Sequence, residues 1–189
     1  AITADGAIWS WGWGAYGQLA HGDGQNQLLP KKVAAFVGQR VVTVSAGDMH
    51  SLALTADGAV WSWGGGTFGK LGHGNQRTQL RPKKVEAFAD QRVVAVSAGG
   101  MRSLALTADG AVWSWGWGGY GQLGHGDRQN QLLPKKVEAF AGRRVVAVSA
   151  GGSHSLAVTA DGAVWSWGSG YNGKLGHGDQ QHQLQPKKI

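Results

Sequence analysis

A period of 52 residues runs through this chain and restricts what it can fold into. The pair Asp57-Gly58 has counterparts at Asp5-Gly6, Asp109-Gly110 and Asp161-Gly162, each 52 residues from the next. Closely similar text surrounds each pair, reading SLALTADGAVWSWG over residues 51–64. An Asp-Gly pair between two apolar runs predicts a tight hairpin, because glycine supplies the positive φ that such turns demand. Leu52, Leu54, Val60, Trp61 and Trp63 suit a pleated, buried surface. A supersecondary unit repeated at fixed spacing buries its apolar face against the next copy.

Each period splits into parts of 33 and 19 residues, and the chain reads as one repeat segment of four copies, 1–33, 34–85, 86–137 and 138–189. A full period predicts four strands: VVAVSAG, HSLALTAD, AVWSWG and a short PKKVEAF. The last belongs at an outer edge, where proline is tolerated. Fifteen strands follow, as three four-stranded units and a first unit without its innermost strand. Four-stranded antiparallel units of about 50 residues arranged around an axis are the blades of a β-propeller, so the expected class is all-β. Small residues at Ser97-Ala98-Gly99-Gly100 suit crowding near the axis. The tryptophan pairs Trp9 and Trp11, Trp61 and Trp63, Trp113 and Trp115, and Trp165 and Trp167 alternate onto one sheet face. Their expected role is packing between blades.

Glycine contributes 33 of the 189 residues, the composition of many tight turns. There is no cysteine, hence no disulfide framework, and no apolar run long enough to span a bilayer. An intracellular protein with no membrane partner is the expectation. The chain begins inside a hairpin and without Met, which reads as a piece of a longer array or an engineered product. Open ends of such an array would expose strand edges to another chain, favouring self-association or pairing with further blades. The formal net charge is +7, much of it from Lys31, Lys32, Lys83, Lys84, Lys135, Lys136, Lys187 and Lys188. Such a basic rim can meet nucleic acid or an acidic protein, or it can guard strand edges.

Catalysis finds little support. His21, His73, His125 and His177 occur once per copy in an L(A/G)HG loop, too dispersed to converge on a metal, and read as loop braces. Ala20 replaces the glycine found at 72, 124 and 176. No Ser/His/Asp set stands out, no paired carboxylates occur, and the Gly-rich loops lack the Gly-Lys-Ser/Thr ending of a phosphate loop. No enzyme and no cofactor is expected. Recognition remains, and its address is where the copies differ. One position reads Trp13, Gly65, Trp117, Ser169; another reads Tyr16, Phe68, Tyr120, Asn172; the polar loop that follows carries Arg77 and His182 among others. Trp13, Tyr16, Phe68, Arg77, Arg81, Arg102, Trp117, Tyr120, Arg128 and Tyr171 are the candidate partner-binding residues, since aromatic and arginine side chains anchor protein interfaces.

The run VSAGDMHSLAL at 44–54 resembles the repeat motif of the regulator of chromosome condensation family, small residues then Gly-X-X-His and alternating aliphatics. It recurs at 148–158 with His154, while the middle copy carries Arg102 in place of histidine. The resemblance covers the whole chain and implies a propeller that serves as a non-enzymatic protein-interaction scaffold. The WSWG-X-G-X-X-G-(K/Q)-LGHG run is similar to propellers of the family's giant ubiquitin ligases. A second implied reading is nucleotide exchange on a small GTPase with chromatin contact, but every period is 52 and carries no protruding insertion. A third, UV-B light sensing, relies in the family on a Gly-Trp-Arg-His-Thr motif, whose tryptophan position falls here on Asp48, Gly100 and Gly152.

Overall fold

The computed structural model describes residues 1–189 and contains fourteen strands in four successive antiparallel sheets. The first sheet holds β1 (Trp9–Gly12) and β2 (Gln27–Lys32). The second runs β3 (Val41–Ala46), β4 (His50–Thr55), β5 (Val60–Gly64) and β6 (Gln79–Lys84). The third runs β7 (Val93–Ala98), β8 (Arg102–Thr107), β9 (Val112–Gly116) and β10 (Gln131–Lys136). The fourth runs β11 (Val145–Ala150), β12 (His154–Thr159), β13 (Val164–Gly168) and β14 (Gln183–Lys188). Neighbours in sequence are neighbours in space, which is the topology of propeller blades.

The hairpins form as their turn chemistry requires. In the second sheet Gly58 N–H donates to Thr55 O at 2.9 Å, and Gly58 takes a φ of +89° that a side chain would resist. The Thr55 hydroxyl and the Ala59 N–H hold the Asp57 carboxyl below the usual carboxylate range. Two expectations need correction. The fifteenth strand, over the first residues, is reduced to the isolated bridge Ile2↔Ile8, because so short a segment reaches only the start of β1. The outermost strand does not run PKKVEAF. It starts three residues earlier, at Gln79 in β6, and Glu86–Phe88 forms a 3-10 turn. Pro82 lies within this strand, where the register slips between Ser62 and Gly64. The bulge places the residue without an N–H where no ladder bond is needed.

The core consists of three apolar layers, one between each pair of adjacent sheets. The middle layer joins Leu52, Leu54 and Val60 of the second sheet to Val93, Val96 and Trp115 of the third. In each junction the phenylalanine of the 3-10 turn that follows one sheet's outermost strand packs on the next sheet's tryptophan pair. Phe88, for example, lies 5.7 Å from both Trp113 and Trp115. Trp63, Trp115 and Trp167 are thereby sealed, at 3%, 0% and 0% exposure. Trp11 is the exception at 49%, so for Trp9 and Trp11 the expected cover is absent: no sheet precedes them.

Near the inner strands the sheets are also stitched by hydrogen bonds one period apart. The Ser45 and Ser97 hydroxyl oxygens accept from the N–H groups of Ala98 and Ala150 at 2.9 and 3.0 Å. The Ser103 and Ser155 hydroxyls donate to the carbonyls of Lys70 and Gln122, both at 2.8 Å. Buried backbone and hydroxyl groups thus find partners across each junction, which fixes the angle between sheets as well as their contact.

Candidate functional site: an aromatic row on the loop face

The loop after each third strand is braced from within. In the second copy the Ser62 hydroxyl donates to Leu71 O at 2.6 Å, so it must accept from His73 Nε2–H at 2.9 Å. Ser10 with His21, Ser114 with His125 and Ser166 with His177 repeat the pair. Burial, with Lys83 nearby, pushes His73 down to about 4, so it is neutral near pH 7. The loop histidines therefore fix loop shape.

On that frame the variable aromatic residues form a row. Phe68 lies 6.1 Å from Trp117 of the next copy, and Trp117 lies 5.1 Å from Tyr120. Tyr120 reaches Tyr171 at 5.8 Å and His182 at 5.0 Å, and those two rings meet at 4.8 Å. Edge-on and tilted arrangements at these distances are favourable and rigidify the row. Trp13 and Tyr16 form a further edge-on pair at 5.3 Å. Between this pair and the row stands Gly65, in the position of Trp117; a Cβ built there would lie 3.6 Å from that of Tyr16.

The loops alternate in conformation. Gln18 and Gln122 accept from the N–H groups of Tyr16 and Tyr120 at 2.9 and 2.8 Å. In the other two copies that position is Lys70 or Lys174, and Gln76 or Gln180 accepts instead from Phe68 or Asn172. Phe68 and Asn172 then take left-handed φ values of +62° and +60°. Lys70 is buried at the second junction near Asp48 and His50.

The structure sorts the sequence candidates. Phe68, Trp117, Tyr120 and Tyr171 come together, with Trp13 and Tyr16 beside them and the exposed Arg77 and Arg128 in the same loops. Arg81 lies apart, on the outermost strand of the second sheet, with its guanidinium against Gly22. Arg102 cannot contact a partner, and its inclusion is corrected: it is 1% exposed. Its guanidinium donates to Ser155 Oγ at 3.0 Å, to Gly152 O at 3.1 Å and to His154 O. Burial lowers it to about 9, leaving it charged at neutral pH. It takes the place of His50, which donates through Nε2 to Ser103 Oγ at 2.9 Å in the preceding junction. The basic rim divides: Lys83 faces His73 while Lys84 lies near Asp57, on opposite faces of one strand. His182 was not among the anchors. It replaces the asparagines that accept from Gly14 and Gly118, and accepts from Gly170 N–H through Nδ1 at 3.1 Å.

A family model described as the RCC1-like domain matches residues 1–189. The chain belongs to this family. It is 40% identical over 182 residues to the ultraviolet-B receptor UVR8 of Arabidopsis thaliana, covering 96% of this chain and 41% of that protein. It is 44% identical over 191 residues to the human E3 ubiquitin-protein ligase HERC2, covering 100% of this chain and 4% of that protein. Human WBSCR16 superposes with a TM-score of 0.91 at 28% identity, covering 100% of this chain and 49% of that one. Prp20p from Saccharomyces cerevisiae, solved together with its binding properties to Gsp1p and histones, gives 0.86 at 27%, covering 100% and 47%. The RCC1-like chain thus spans less than half the length of these relatives, and its sheets are propeller blades that do not close a ring within it.

Proposed function

We propose that this RCC1-like segment is a non-enzymatic protein-interaction scaffold, working inside the cell, that engages a partner protein through its loop face. The observation that carries the reading is the aromatic row from Phe68 to Tyr171, continuous across three sheets and held by loops braced from beneath. Tyr171 is 52% exposed and Trp13 51%, so both ends of the face offer aromatic surface to a partner. Rigid aromatic side chains flanked by arginine lose little entropy on binding and are the usual interface anchors. The comparison with Prp20p, whose binding to Gsp1p and histones was studied, makes these two proteins the first partners to try. Combined alanine substitution at Trp13, Tyr16, Trp117 and Tyr120 is expected to weaken binding of purified histones or Gsp1p by at least about tenfold with an unchanged melting temperature. Binding that survives these substitutions removes the proposal.

Nucleotide exchange on Gsp1p is a second reading, supported by the same relative, and nucleotide release from Gsp1p tests it directly. The uniform 52-residue period weighs against it, since no copy carries an extra wedge.

A further inference from the structure

The end of each sheet away from the aromatic row carries the Asp-Gly hairpin turn and the 3-10 turn that leads to the next sheet. In the third copy these two turns border a cleft of about 400 Å³ lined by Asp109, Lys136, Phe140, Gly142, Arg143 and Arg144 among others. Its three cations meet one carboxylate, and that carboxylate is already engaged. Asp109 Oδ1 accepts from the Thr107 hydroxyl and from Ala111 N–H at 3.3 Å, within its own turn. Glu138, at the start of the 3-10 turn Glu138–Phe140, is exposed and does not line the cleft. Arg143 is held in place from two sides. Its guanidinium carbon stands 5.1 Å from the centre of the Trp165 ring in the next sheet, and Nη1 donates to Ala139 O at 3.3 Å. A guanidinium has five N–H donors, so most remain for a ligand, and a stacked, planar fork loses little freedom on binding an oxyanion. The Arg144 side chain crosses the hairpin turn, with Cγ 2.7 Å from where a Cβ on Gly110 would stand.

The earlier copies show what this combination depends on. The first has a comparable cleft of about 390 Å³ lined by Asp5, Lys32, Phe36, Gly38 and Arg40, but Gln39 stands where the third has Arg143. The second has Gln91 at that position and Asp90 in place of Gly142. Its Ala89 is helical, with ψ −37°, whereas Val37 and Ala141 are extended at 126° and 130°. The extended route continues through a left-handed residue, Gly38 at φ +81° or Gly142 at +75°, which glycine adopts without strain. Of the three, only the third joins the extended turn, free of a carboxylate, to a second arginine. We propose that this cleft binds a phosphomonoester dianion, with Arg143 and Arg144 donating to its oxygens and Lys136 supplying the third positive charge. Three cations and one carboxylate leave a charge of +2, which a dianion balances. Arginine forks match phosphate oxygens two at a time, so the site discriminates by shape as well as by charge. The cleft lies at the opposite end of the sheets from the aromatic row and does not depend on that row's binding a protein.

The test follows the arginine Nε–Hε signals of the ¹⁵N-labelled 189-residue chain during titration with O-phosphoserine, inorganic phosphate and dimethyl phosphate. Phosphoserine is expected to shift the Arg143 and Arg144 signals with a dissociation constant of roughly 0.1–1 mM at low salt. Arg143→Gln installs the residue of the first two copies and Gly142→Asp that of the second, so both are expected to keep the melting temperature. Each is expected to weaken binding about tenfold, read on Arg144, through loss of a charged donor or gain of a carboxylate. Binding should also weaken as the pH falls from 7 to 5, because the phosphate ester takes up a proton near pH 6, at about its second pKa. Phosphoserine that binds more tightly than inorganic phosphate assigns the site to a phosphorylated side chain, and inorganic phosphate that binds as tightly or more so assigns it to the free ion. Binding unchanged in Arg143→Gln means an adventitious ion only and overturns the proposal. Dimethyl phosphate or a DNA oligonucleotide that binds as tightly as phosphoserine also overturns it, by reducing the cleft to a general attraction for negative charge.

Discussion

The exchange of glycine for alanine at one loop position allows the energetics of a blade junction to be measured. Position 20 is Ala with a φ of +69°, and its equivalents Gly72, Gly124 and Gly176 take +77°, +80° and +75°. An L-residue in this left-handed region costs about 1 kcal/mol relative to glycine. A Cβ on Gly72 or Gly124 would also lie 2.9 Å from the Nε1 of Trp115 or Trp167. The Trp115 and Trp167 indole N–H groups are buried without a partner. At the first junction, where the methyl is present, Trp63 Nε1 instead donates to Gln18 O at 2.8 Å. The methyl therefore coincides with a turned indole and a gained hydrogen bond. Gly72→Ala carries the left-handed penalty and the cost of moving a sealed indole, of order 1–3 kcal/mol. It gains about 1 kcal/mol if Trp115 turns onto Lys70 O. The expected net is a loss of about 2 kcal/mol, a fall of roughly 0.8 M in the urea midpoint for an m-value near 2.5 kcal/mol/M. Ala20→Gly removes the backbone strain and frees Trp63 to lose its bond, so it should change stability by less than about 1 kcal/mol. Urea titration followed by tryptophan emission measures both. If Gly72→Ala leaves the midpoint in place, the link between the loop methyl and the indole is wrong.

Acid should weaken the fold through its neutral histidines. Burial and Lys70 push His50 down to about 3, and burial pushes His73 to about 4, from 6.5. The unfolded chain binds more protons below that value, so stability is full above pH 6.5 and falls as the pH drops toward 3. The loss approaches about 1.4 kcal/mol per pH unit for each histidine; urea midpoints that stay level from pH 7 to 4 would contradict it. Arg102→Met removes the donors to Ser155, Gly152 and His154 and leaves buried acceptors bare, costing about 3 kcal/mol in denaturant titration. Arg102→His should recover about 1 kcal/mol of this by reproducing the bond from His50 to Ser103.

Much of this architecture was legible because it repeats. Spacing and alternation placed β4 and β5, and Trp61 and Trp63 on one face implied a cover from the neighbouring sheet, part of which Phe36 supplies. The single histidine per loop could be read as a brace, since a solitary donor cannot assemble a metal site. What repetition hides is departure from it. Arg102 looks like a surface anchor by residue type, yet it lies where its neighbour's histidine is sealed, so position outweighs chemistry. His182 sits in a loop that reads as solvated, and only the packing of Tyr120 and Tyr171 shows that it completes an aromatic cluster. The exchange of Gln18 for Lys70 is plain in the sequence, but that a second glutamine eight residues from Phe68 takes over its bond depends on how the loop returns. The start of β6 was missed because proline reads as a boundary, whereas the bulge opposite Ser62–Gly64 admits it in the interior.

The prolines at 30, 82, 134 and 186 govern how such molecules behave when concentrated. Each interrupts the outermost strand of its sheet, at a bulge and beside two lysines, so the outer circumference offers a broken, charged backbone to any colliding chain. Fibre growth needs a long, straight, neutral edge, and none of the four sheets has one on its outer side. Strand addition along the outer side is thereby disfavoured in all four sheets.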